Sequence, residues 1–387
     1  MSSGDFLSDS YSMYYNDNAT AEAASLGPSA VLVPLTLGII AVLAVVGNAL
    51  VIYIVLRYRN MRSSVTNFYI MNVAISDIVF VVICVPLTSV SYGMTYWPFG
   101  QFFCKLNAYM QCVSVQATCT TLTAMTVDRY YVIMSPLASR RTRTICRAGM
   151  VCASIWIFSA VVHIPVAVFF KIEVINWFGE INEYCKFTLH KPAALSGYFI
   201  YLSLSTFLLP LTIIAVCYSL ILSHLWSLSR VGRCREPTST AGYDPLSQQS
   251  RSGALPPAQS SARTASKTWK TTRIVLCVVM LFAVCWAPLQ AFNVWNAIDP
   301  EHHSSSVHVN NLRVFCLCLA YANSCINPIV YALAGTSYRH HLHQMVSGSN
   351  KSGRINSRFS PTGGGNSSYR SVRRMSRTEA TSVSTCV

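Results

Sequence analysis

Seven stretches, roughly 31–57, 66–93, 101–134, 145–170, 196–226, 268–298 and 308–333, are long and apolar enough to cross a bilayer. One α-helical crossing needs about 20 apolar residues. Within hydrocarbon every backbone amide must find a partner inside the protein, so such stretches must be helices. The predicted fold class is an all-α membrane protein, a seven-transmembrane helix bundle. Only 11% of the residues are charged, against roughly a quarter in soluble domains. What lies outside the spans leaves no room for a large soluble domain.

The net charge of +15 suggests nucleic acid until it is mapped. Of the 29 Lys and Arg residues, all but Lys105, Lys171, Lys186, Lys191 and Arg313 fall on one set of alternate loops and ends. The opposite set holds most of the 14 acids: Asp5, Asp9, Asp17, Glu22, Glu173, Glu180, Glu183, Asp299 and Glu301. This positive-inside asymmetry puts the amino terminus outside and the carboxyl terminus in the cytoplasm. The basic residues report topology and anionic inner-leaflet lipid; no nucleic acid partner is expected. Residues 1–30 have neither a basic leader nor an apolar core, so a cleaved signal peptide is not expected.

The expected organisation is an extracellular disordered segment 1–30, a bundle 31–333 containing a flexible third intracellular loop 227–266, an amphipathic helix 334–346, and a disordered cytoplasmic tail 347–387. Asn18-Ala19-Thr20 is an outer glycosylation sequon at Asn18. Tyr11, Tyr14 and Tyr15 are candidates for sulfation, beside the plainer reading of a solvated acidic tail. In the helix 334–346, Arg339, His340, His341 and His343 are expected on the polar face. The 15 cysteines show no zinc spacing. Only Cys104 and Cys185 fall in oxidising space, which predicts a disulfide between them, stabilising by about 3–5 kcal/mol in the chain-entropy model.

Several residues are costly at membrane depth and need a reason to be there. Asp77 is expected in a polar network with Asn48, Asn323, Ser324 and Asn327, able to hold water or a sodium ion; no other metal is expected. Pro210 and Pro288 allow kinks. Trp286 beside Pro288, with Phe282 one turn below, can couple ligand depth to helix tilt. Pro328 after Asn327 makes a second weak point, and Tyr331 swings with it. Asp128-Arg129-Tyr130 ends the third span. The inner end of span six offers Lys267, Thr268, Trp269 and Lys270 but no acid. Arg129 must therefore be held by Asp128 and a hydroxyl such as Thr268.

Together, Asn48, Asp77, Asp128-Arg129-Tyr130, Trp156, Pro210, Cys285-Trp286-Ala287-Pro288 and Asn327-Pro328-Ile329-Val330-Tyr331 resemble the rhodopsin-like (class A) G-protein-coupled receptors over residues 31–346. Thr66-Asn67-Phe68-Tyr69-Ile70, the run from Val113 to Arg129 and Tyr96-Trp97-Pro98-Phe99-Gly100 resemble the neuropeptide group of kisspeptin, galanin and allatostatin-A receptors, the kisspeptin branch foremost. The resemblance implies plasma-membrane location, an amidated Arg-Phe-type peptide ligand, and a Gq-class heterotrimer acting through phospholipase C and calcium. Galanin- or allatostatin-A-type ligands, with Gi coupling, are the alternative. Gln111 stands where amine receptors keep an Asp, and Tyr321 where opsins keep a Lys, so neither a monoamine nor retinal is expected. Candidate ligand contacts are Gln111, Val115, Gln116, Glu183, Leu289, Gln290, Asn293, Arg313, Leu317 and Tyr321. Arg129 and Leu137 are candidate G-protein contacts. Receptor kinases and arrestin would act on the tail, and Ser384-Thr385-Cys386-Val387 resembles a PDZ ligand. No nucleophile–base, HExxH or phosphate-loop pattern suggests an enzyme. A channel or transporter is the rival from another class, with no internal repeat to support it.

Overall fold

A computed structural model describes residues 28–94, 96–177, 180–189, 192–233, 257–298 and 307–346. The expectations for residues 1–27, including Asn18, for most of the third inner loop, for Asp299 and Glu301, and for the tail lie outside the described residues.

Seven long helices form the bundle. Span one is Pro28–Arg57, span two Val65–Met94, span three Gly100–Met134 and span four Ile145–Val162, which continues past His163 as Ile164–Phe169. Span five is Pro192–Ser203 and Leu209–Arg233, joined by a π turn over Leu204–Leu208. Span six is Pro257–Ile298 and span seven Val307–Ala334, followed by a short helix Thr336–Val346. Span one shows how the periodicity is used. Val33, Leu37, Ile40, Ala44, Asn48 and Val51 are buried, three or four residues apart, while Leu32, Leu35, Ile39, Val42 and Val46 face outward.

Six of these helices are apolar enough to cross a membrane by length and composition; span three is the exception. Its neighbours explain this, because it packs against spans two, four, five and six. It meets protein where the others meet lipid, and so buries Ser114, Gln116, Thr118, Thr121, Thr123, Thr126 and Arg129. Thr121, Thr123 and Thr126 return their hydroxyl protons to the carbonyls of Ala117, Cys119 and Leu122 at 2.6, 2.9 and 2.9 Å, which makes the polar stripe tolerable.

Pro34, Pro86, Pro288 and Pro328 lie within spans. At Pro210, the expected kink coincides with the π turn just before it. Proline removes one amide donor and crowds the carbonyl four residues back, and the widened turn accommodates both. Spans one and seven approach closely at Gly47, where an added Cβ would lie 2.9 Å from the Pro328 ring.

Three expectations need correction. Spans five and six extend into the stretch assigned to the third inner loop, one to Arg233 and the other from Pro257; proline at a helix's first position loses no bond. Between spans four and five, in an otherwise all-helical bundle, lies a hairpin, β1 Phe170–Trp177 antiparallel to β2 Glu180–Phe187. Gln101 completes it as a strand would, donating Nε2 to the Phe170 carbonyl and accepting the Ile172 amide, each at 3.0 Å. His341, assigned to the polar face of the last helix, is buried. It stacks on Tyr58 with ring centroids 3.8 Å apart, and its Nε2 lies 3.4 Å from Asn60 Nδ2. The first inner loop covers that face.

Candidate functional site

The Cys104–Cys185 disulfide forms, with Cα atoms 5.5 Å apart. It ties β2 to the outer end of span three, and the Trp97 amide adds a 2.7 Å bond to the Glu183 carbonyl. The hairpin so held walls a cavity of about 310 Å³ at the outer end of the bundle.

Eight of the ten candidate contacts line this cavity: Gln111, Val115, Leu289, Gln290, Asn293, Arg313, Leu317 and Tyr321. Gln111 donates Nε2 to the Tyr321 hydroxyl at 2.9 Å and to Thr88 Oγ1 at 3.4 Å, so the three form one cluster. Gln116 and Glu183 are not in the lining. Gln111 and Val115 are four apart and share a helix face, whereas Gln116 is rotated by about 100°. Gln116 is buried, donating to Thr120 Oγ1 at 2.9 Å. Glu183 is an exposed residue of β2. The helical pattern did not identify the aromatic wall: Tyr92, Trp97, Phe170, Phe187, Tyr198 and Phe199. Phe187 stacks on Tyr198 at 4.6 Å. No Asp or Glu is among the described lining residues. Lys186 lines the cavity but is paired with Glu173 at 3.3 Å.

Trp286 closes the bottom, 6.1 Å from Phe282 and 6.3 Å from Phe80 between ring centroids. Beneath it lies a cavity of about 10 Å³ lined by Asp77, Ser114, Asn323 and Ser324 among others. Space of about this size holds one water. Asp77 accepts from Ser324 Oγ at 3.0 Å and from Asn327 Nδ2 at 2.9 Å. Asn323 Oδ1 and Ser114 Oγ are buried without partners. A carboxylate with two orphaned oxygens suits water or a small hard cation. Asn48 joins this cluster through the backbone of Ser324. Its Nδ2 donates to the carbonyls of Ala44 and Ser324 at 2.9 and 2.8 Å, fastening span one to the backbone of span seven.

At the inner end, Arg129 donates Nη2 to Asp128 Oδ2 at 2.6 Å and to Thr66 Oγ1 at 2.5 Å. The hydroxyl that holds it thus comes from span two, and the side chain of Thr268 lies outside those described. Arg143 also grips Asp128, as Nε to Oδ1 at 2.7 Å and Nη2 to Oδ2 at 2.9 Å. Tyr331 is buried and stacks on Tyr338, with centroids 5.9 Å apart. Leu137 is 81% exposed on the loop helix Pro136–Thr142. Asn72, not singled out from the sequence, links three spans by donating to Thr121 Oγ1 at 2.8 Å and accepting Trp156 Nε1 at 3.1 Å.

Residues 47–331 match the family model of the 7 transmembrane receptor (rhodopsin family). The KiSS-1 receptor of Mus musculus is 39% identical over 310 residues, 80% of this chain and 73% of that protein. G-protein coupled receptor 54 of Oreochromis niloticus is 38% identical over 308 residues, 80% of this chain and 76% of that one. The allatostatin-A receptor of Bombyx mori is 33% identical over 307 residues, 79% and 77% of the two chains. A seven-helix bundle with a tethered outer hairpin and such relatives identify a receptor: the chain belongs to the rhodopsin family of G-protein-coupled receptors and is closely related to the KiSS-1 receptors.

Proposed function

We propose that this receptor binds an extracellular peptide with an amidated Arg-Phe-type end and signals through a Gq-class heterotrimer to phospholipase C and calcium. One observation carries the ligand class. The cavity combines an aromatic wall with neutral amides (Gln111, Gln290 and Asn293) and has no acid among its described lining residues. Such a space suits a neutral aromatic end whose amide both donates and accepts. A ligand cation would be met at the rim, where Glu183 is exposed.

Binding shifts an existing equilibrium by favouring the active state. Ligand pressing on Trp286 tilts span six about Pro288, Arg129 and Tyr331 rearrange, and the inner cleft admits a G-protein helix beside Leu137. Sodium at Asp77, receptor kinases, arrestin and a PDZ protein at the last residues complete the proposed partners. A panel of amidated and free-acid peptides in one calcium assay tests the reading. Response only to Arg-Phe-amide peptides supports it; response only to galanin- or allatostatin-type peptides replaces the ligand.

A further inference from the structure

Two guanidiniums at the inner end compete for one carboxylate and one hydroxyl. Arg143 makes a two-pronged contact with Asp128, through Nε to Oδ1 at 2.7 Å and Nη2 to Oδ2 at 2.9 Å. Arg129 reaches Asp128 through Nη2 alone, on the same Oδ2. Thr66 Oγ1 accepts from both guanidiniums, at 2.5 Å from Arg129 and 2.8 Å from Arg143. Thus each acceptor of these Arg129 bonds is shared with Arg143. The Nε of Arg129 is buried without a partner. The side chains of Arg129, Asp128 and Arg143 are 5%, 11% and 26% exposed, so two cations meet one anion with little water to screen them.

From this geometry we infer that Arg143 is a positioning residue for activation: it holds Asp128 so that Arg129 can leave. When Arg129 swings toward a G protein, the carboxylate keeps its stronger, two-pronged partner. Without Arg143 the same movement strands a largely buried carboxylate, which opposes it. Repulsion between the guanidiniums acts in the same direction. Local structure fixes Arg143 for this task. It ends the loop helix Pro136–Thr142, and its amide donates to the Ser139 carbonyl at 3.0 Å. Arg147 reaches back to the Thr142 carbonyl at 3.1 Å.

The inference rests on coupling to a G protein, so the test begins there. Purified full-length receptor in lipid nanodiscs is mixed with Gq-, Gi- and Gs-class heterotrimers, with and without an Arg-Phe-amide peptide, and nucleotide exchange is followed. If wild type drives exchange on none of them, the coupling itself fails and the inference falls with it. Once wild type drives exchange, the variants decide the role of Arg143 alone. Arg143→Gln is expected to lower ligand-independent exchange about fivefold, the scale of one partly exposed ion pair. Arg143→Lys is expected to recover part of the loss, because an ammonium holds the carboxylate without the fork. On an Asp128→Asn background, Arg143→Gln is expected to have no further effect, since no carboxylate remains to recapture Arg129. Exchange by Arg143→Gln at or above the wild-type rate overturns the inference. So does a deficit that persists on the Asp128→Asn background, which would mean that Arg143 acts by presenting the Leu137 loop.

Discussion

The two ends of the bundle are built from different chemistry. The outer cavity is aromatic and amide-lined, and the cation most deeply set in its wall, Lys186, is already paired with Glu173. The inner end concentrates charge, with two arginines on one aspartate, and presents Leu137 exposed on the loop helix Pro136–Thr142. If the proposed function holds, recognition outside rests on burial and directed hydrogen bonds, which salt hardly affects, and release inside rests on ion pairs shielded from water. The proposed signal is then a largely neutral event outside read out as an electrostatic one inside.

The largest expected effect lies inside. Arg129→Ala should remove most of the calcium response at equal surface expression while agonist binding persists, and Leu137→Ala should do the same to a lesser degree. Retention of signalling by both would break the contrast. Next is the Cys104–Cys185 tether. Cys185→Ala frees the hairpin that walls the cavity, and agonist affinity should fall by about 100-fold or more, using part of the roughly 3–5 kcal/mol that such a crosslink supplies. Gln111→Leu should cost about tenfold in agonist potency by removing a buried amide donor, at a typical scale of 1–3 kcal/mol. The smallest effect is expected at the rim, where Glu183→Gln should weaken an Arg-containing peptide by about fivefold or less. Raising the salt concentration should erase the Glu183 effect and leave that of Gln111 intact. A salt-sensitive Gln111 variant would blur the distinction between the two ends.

The sequence reading succeeded where chemistry is forced. Long apolar runs can only be helices in lipid; Asp77, Asn327 and Arg129 were noticeable because each is expensive at depth, and Trp286 because it sits beside Pro288. Ser324 and Asn327 reach Asp77 as expected from depth alone. What escaped depends on rotation and on neighbours distant in sequence. Gln116 and Gln111 look alike as amides, yet one helical step turns Gln116 away from the cavity. The burial of His341 is imposed by Tyr58, 283 positions earlier in the chain's numbering. The hairpin takes its register from a disulfide and from Gln101 on another helix, so short-range alternation carried little of the signal. Thr66 as the hydroxyl partner of Arg129 required knowing which two helix ends meet.

Where span one meets span seven, the contact is bare backbone against a ring: Gly47 leaves room for Pro328 that a single methyl group would take. If span seven turns about Pro328, as proposed, this clearance is its bearing. Filling that clearance, as in Gly47→Ala, would wedge the pivot beside Asn327, and the receptor would be held in whichever posture best tolerates the added bulk, whatever peptide sits above.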